Sequence, residues 1–135
     1  MSAISINVSK AETTGTAAYG VLLLRISLGV MFLAHSVVLK GMTYGLPGTA
    51  KFFESIGLPG PLAYVVFAME AVGGALLVLG VKTRWVAAAL MPVLVGATWT
   101  HAGNGWVFNA PNGGWEYPVF LAIASVVLVL INEKA

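Results

Sequence analysis

Residues 19–39, YGVLLLRISLGVMFLAHSVVL, decide the fold class. The run is apolar from end to end apart from Arg25, Ser27, His35 and Ser36. A helix needs about 20 such residues to cross roughly 30 Å of hydrocarbon, and this run has them. Three more apolar segments follow, at about 61–80, 85–100 and 115–131. The third of the four is the shortest, and the stretch after it, 101–114, is rich in Gly and Asn. That span is therefore expected to finish early, against protein or water.

Composition points the same way. The 135 residues are 59% hydrophobic and only 9% charged, against roughly 25% charged in a soluble domain. Seven Lys/Arg and five Asp/Glu are too few to build a water-facing surface, so lipid must cover much of the outside. The basic residues form no run or stripe, which excludes nucleic acid as a partner. Absence of cysteine excludes thiol–disulfide chemistry, Cys-ligated zinc and Fe–S clusters, and leaves no covalent cofactor held through sulfur.

Residues 1–18 are polar and small, without the charged and apolar regions of a cleavable signal. They are expected to form a flexible cytoplasmic tail in front of a membrane domain over 19–135. VKTR at 81–84 predicts a tight turn joining the second and third spans as a hairpin. The loop at 40–60 carries an amphipathic piece, 50–56, framed by LPG on both sides. It reads as a short interfacial helix with Phe52 and Phe53 dipped into the bilayer and Lys51 and Glu54 among the headgroups. With the N-terminus inside, Lys10, Lys82, Arg84 and Lys134 lie on the inner face against Lys40 and Lys51 outside, which favours cytoplasmic termini. Small residues recur within the spans, at Ser27, Gly29, Gly73, Gly74, Ala87–Ala89 and Gly96, where helix backbones can approach closely. The predicted fold is all-α, an integral membrane antiparallel four-helix bundle.

Two layers of polar residues stand out. Arg25 and Glu70 fall inside the first and second spans, where an isolated charge costs about 2.5 kcal/mol or more, and they are expected to pair. The alternative is an Arg25 that snorkels to the inner interface and a neutral Glu70. Nearer the outer face, His35 and Lys40 close the first span, His101 closes the third and Glu116 opens the fourth. Around them stand Asn104, Trp106, Asn109, Asn112, Trp115 and Tyr117, as an interfacial belt or as the lining of a site. Two histidines and a carboxylate can ligate a metal. Here they lie on separate helices without His-x-x-His or Glu-x-x-His spacing, so a proton-handling or polar-ligand role is preferred and no metal is expected.

These residues resemble the DoxX family of bacterial four-helix membrane proteins. The likeness runs from about residue 22 to 120. It rests on LLLRISLGVMFLAHS with Arg25, Gly29 and His35, then Lys40, FFESIGLPGPLAYVV, and MEAVGGALLVLGVKTR with Glu70 and the glycine pair. HAGNGW with His101 and NGGWEYP with Trp115 and Glu116 complete it. Ser36 stands where members commonly carry Gly, and Asn104 precedes Gly105 and Trp106 where aromatic residues are common. The resemblance implies a multi-pass protein of the bacterial inner membrane, with the label of an oxidoreductase membrane subunit linked to quinone. On that reading His35, His101 and Glu116 supply hydrogen bonds and protons to a quinone headgroup, and Trp106 or Trp115 stacks on its ring. Arg25, Lys40, Glu70, Asn104 and Tyr117 complete the ligand-binding set. Electrons would come from a redox partner protein or a small reductant, and a homo-oligomer is compatible. The broader group also resembles membrane cargo receptors and assembly chaperones. The same lining then reads as a non-enzymatic groove for another transmembrane segment or a lipid.

Overall fold

The computed structural model describes residues 15–107, 109–110 and 113–131. The described residues form helices and connecting turns, with no strand among them. Helix α1 spans Gly15–Leu33 and runs on without a break as a π-helix over Ala34–Thr43. The chain then turns at Gly45, whose φ of 74° suits glycine. A short helix, α2, covers Leu46–Ser55; α3 covers Leu62–Leu79, α4 Thr83–His101 and α5 Glu116–Ile131. A single 3₁₀ turn, Ala102–Asn104, extends α4.

The expected segments are all present, with shifted ends. Helix α1 starts at Gly15, so residues 15–18, assigned to the tail, are helical. Residues 1–14, and with them Lys10, lie outside the described residues, as does Lys134. The third segment is not the shortest, because 83–104 is continuously helical over 22 residues. His101 and the 3₁₀ turn over Ala102–Asn104 extend that helix past the apolar run. By length and composition 15–43, 62–79 and 83–104 can each cross a membrane; α5 is apolar but has 16 residues. The amphipathic piece is longer than 50–56 and begins at Leu46, with Pro47 in its first turn and Thr49 Oγ1 donating to the Gly45 carbonyl at 2.9 Å. The hairpin is as expected: Gly80 ends α3 in the left-handed conformation and α4 opens at Thr83.

This is a membrane protein by its surface. Leu28, Phe32, Leu77, Leu90, Leu94, Leu121 and Leu128 are buried between helices, while Leu79, Trp85 and Leu130 are among many large apolar side chains left outside. Such a surface is stable where the solvent is lipid.

Two neighbouring glycines bring α3 against two different helices. A Cβ added at Gly74 would lie 2.8 Å from the Gly29 carbonyl oxygen, and one at Gly29 would lie 2.7 Å from that of Gly74. Gly73 faces the other way, where a Cβ would meet Leu90 of α4 at 2.9 Å. Gly29 also abuts Val78, and Gly74 abuts Leu33, so α1 and α3 run in opposite directions along this contact. That register positions Arg25, Lys40 and Glu70, described next. Ser36, one turn further along, is fully buried, and its hydroxyl donates to the Phe32 carbonyl at 2.8 Å within its own helix.

Candidate functional site

Lys40 sits near the end of the π-helical stretch. Its ammonium donates to Glu70 Oε1 at 2.7 Å, the ion pair among the described residues, and lies 3.4 Å from the His35 carbonyl oxygen. Both side chains are largely shielded, 18% and 7% exposed. A wide turn closes from a backbone N–H to the carbonyl five residues earlier, as in the bond from Tyr44 N–H to Leu39 O at 2.9 Å.

The expected pairing of Arg25 with Glu70 is not formed. Arg25 reaches the end of α3, where its guanidinium packs so closely on Gly80 that no Cβ would fit there. Ten residues of α3, about 15 Å, separate that level from Glu70. The Gly29–Gly74 contact imposes this offset, and it leaves Lys40 as the cation within reach of Glu70.

Next to the ion pair lies an aromatic couple. The His35 and Tyr117 rings stack with centroids 5.8 Å apart and planes 27° from parallel. Met31 holds both. Its carbonyl accepts from His35 Nδ1 at 2.8 Å, and its sulfur accepts from the Tyr117 hydroxyl. A carbonyl only accepts, so Nδ1 carries a proton, and Nε2 is the ring nitrogen that Met31 does not engage. Below this couple a cavity of about 160 Å³ runs between α1 and α5. Leu24, Leu28 and Met31 form one wall and Tyr117, Phe120 and Leu121 the other. Ser27 and Ala124 complete the lining, which is apolar over nearly all of its surface, and the cavity is half open.

The remaining candidates gather separately, at the end of α4 and along the loop that leads into α5. His101 Nδ1 lies 2.8 Å from the Ala97 carbonyl, and its ring packs under Gly113, where an added Cβ would meet Cδ2 at 3.0 Å. Asn104 Nδ2 donates to the Gly113 carbonyl at 2.8 Å. Backbone bonds from Trp115 to Gly105 (3.1 Å) and from Glu116 to Trp106 (2.9 Å) close the loop. Trp106 is 62% exposed and Trp115 38%, and neither stacks on the His35–Tyr117 couple. Asn109 is exposed and Asn112 lies outside the described residues. The outer layer expected from the sequence is thus divided: His35, Lys40 and Tyr117 join Glu70, which was expected in the deeper layer with Arg25, while His101, Asn104, Trp106, Trp115 and Glu116 form a second group. Among the described residues no hydrogen bond, ion pair or ring contact joins His101 or Glu116 to the first group. No set of three or more His, Cys, Asp or Glu side chains there is placed to hold a metal ion. Met31 escaped the sequence reading. Its i, i+4 spacing to His35 is the signal that could have found it.

The DoxX family model matches residues 20–103, a stretch that includes Arg25, His35, Lys40, Glu70 and His101. The chain is also 36% identical over 116 residues to a Bacillus subtilis (strain 168) protein named "Putative oxidoreductase CatD", a match covering 85% of this chain and 81% of that one. No solved structure matches it significantly.

Proposed function

The chain belongs to the DoxX family of membrane proteins, and from that premise we propose that it is the quinone-binding membrane subunit of an oxidoreductase. One observation carries the reading: Tyr117, its ring stacked on the His35 imidazole, lines one end of a half-open, largely apolar cavity between α1 and α5. A prenylated quinone needs that combination, polar groups at its carbonyls and an apolar channel for its tail. The cavity walls suit the tail; at the polar end the Tyr117 hydroxyl would turn from the Met31 sulfur to donate to a quinone carbonyl, and His35 Nε2 would donate there once it has taken up a proton. The oxidoreductase name of the Bacillus subtilis relative is consistent with this assignment.

A bound quinone would supply an acceptor for two electrons and two protons. The chain's own residues do the rest. Met31 and Tyr117 hold the ring end and exclude water from it. Tyr117 donates from its hydroxyl, and His35 relays a proton at Nε2. The Lys40–Glu70 pair fixes the wide turn that carries His35. His101 and Glu116 lie on the loop side, where they admit protons from the outer aqueous face. Electrons enter from a redox partner protein or a small reductant. The same reading takes α1, α3, α4 and α5 as an antiparallel four-span bundle in the bacterial inner membrane, with both termini cytoplasmic.

Extraction of quinone from protein purified in mild detergent tests the proposal. Stoichiometric quinone, lost in Tyr117→Phe and His35→Ala, supports it. Quinone-free protein that co-purifies with a stable membrane partner would instead make the chain an assembly or recognition subunit.

A further inference from the structure

Two buried polar atoms among the described residues have no hydrogen-bond partner, Arg25 Nε and Thr83 Oγ1. Both belong to the corner where α3 ends and α4 begins. Arg25 comes from α1 and lays its guanidinium on Gly80; Thr83, 3% exposed, is the first residue of α4. The turn between them carries Lys82, and Arg84 follows. Three cationic residues therefore belong to this corner, Arg25 by its guanidinium contact with Gly80 and Lys82 and Arg84 by their places in the chain.

The described carboxylates are all elsewhere. Glu70 is taken by Lys40, Glu54 packs on Gly60 before α3, and Glu116 sits on the loop at the far end of α4. The first turn of α4 has no side-chain cap, so its N–H groups also point their partial positive charge here.

Depth adds to the charge. Helix α1 continues for ten residues on the N-terminal side of Arg25, about 15 Å, through GTAAYGVLLL. Arg25 is thus set ten residues back along a largely apolar helix, where a cation is costly unless an anion joins it. Leu79, Val81 and Trp85 surround it with exposed apolar surface, and the Arg84 guanidinium lies over the Trp85 ring, 5.6 Å from its centroid.

We propose that this corner binds the phosphate of an anionic phospholipid. The guanidinium of Arg25, the side chains of Lys82 and Arg84 and the open first turn of α4 hold the phosphate, and the acyl chains lie along Leu79 and Trp85. Basic pockets between transmembrane helices recognise lipid headgroups by this chemistry, and the apolar rim favours a lipid over a free anion. The site is independent of the quinone assignment.

The test uses the full chain in a neutral detergent, with its unfolding temperature followed as phosphatidylglycerol, phosphatidylcholine or inorganic phosphate is added. Phosphatidylglycerol is expected to raise it by several degrees and the other two to leave it unchanged. Arg25→Gln, and separately Lys82→Gln with Arg84→Gln, should weaken the apparent affinity for phosphatidylglycerol by roughly tenfold. If Arg25→Gln does not fold, the turn variant decides, since its side chains lie outside the core. Equal shifts with phosphatidylcholine, a shift reproduced by inorganic phosphate, or an undiminished response of the turn variant would each overturn the proposal.

Discussion

Lys40 and Glu70, thirty positions apart in the chain, form an ion pair of 2.7 Å whose cation also leans on the backbone of His35. The pair ties the wide-turn end of the first helix to the middle of α3. A charge pair shielded to this degree contributes mainly through what happens when it is broken.

Glu70→Gln leaves the Lys40 ammonium largely shielded without a counter-charge. Unfolding in detergent should become easier by about 3 kcal/mol. A double-mutant cycle should find Lys40 and Glu70 strongly coupled and Arg25 and Glu70 additive within roughly 0.5 kcal/mol. Strong coupling between Arg25 and Glu70 would mean that the register of α1 on α3 is wrong.

Gly74→Ala places a methyl against the Gly29 backbone, which cannot retreat without separating two helices. A loss of about 1–3 kcal/mol is expected. Gly96→Ala is the control: nothing lies within 4 Å of its new methyl, and helix propensity makes it neutral or stabilising by up to about 1 kcal/mol. Thermal unfolding of both variants checks the contrast.

Tyr117→Phe removes the hydroxyl that Met31 accepts from. Stability should fall by no more than about 1 kcal/mol, while retained quinone should drop severalfold. Equal quinone content in the variant and the parent would remove Tyr117 from the binding site.

Ala124→Leu fills part of the cavity from the α5 side. Quinone should be excluded while the helix content measured by circular dichroism stays unchanged. A variant that still retains quinone would place the ligand outside this cavity.

The helices were readable because each is an apolar run bounded by Gly, Pro or a charge, and because lipid forces the backbone to satisfy itself. The ion pair was not readable. Its partner choice depends on how α1 is registered against α3, which two backbone-to-backbone glycine contacts set and which hydrophobicity cannot encode. The wide turn was hidden as well, since AHSVVLKGMT contains nothing that a regular helix would refuse. The outer group divided for a related reason. His101 and Glu116 are placed by the loop that Asn104 helps to close, and no periodicity extends there.

The ten-residue π-helical stretch makes chain length itself a coded quantity. Substituting Val37 or Val38, which face outward, leaves the path of the backbone intact. Deleting either residue would rotate everything beyond it by roughly 100° in a regular helix and swing the Lys40 ammonium off Glu70. Relatives that share this site should therefore tolerate wide variation in spelling between residues 34 and 43, and almost none in count.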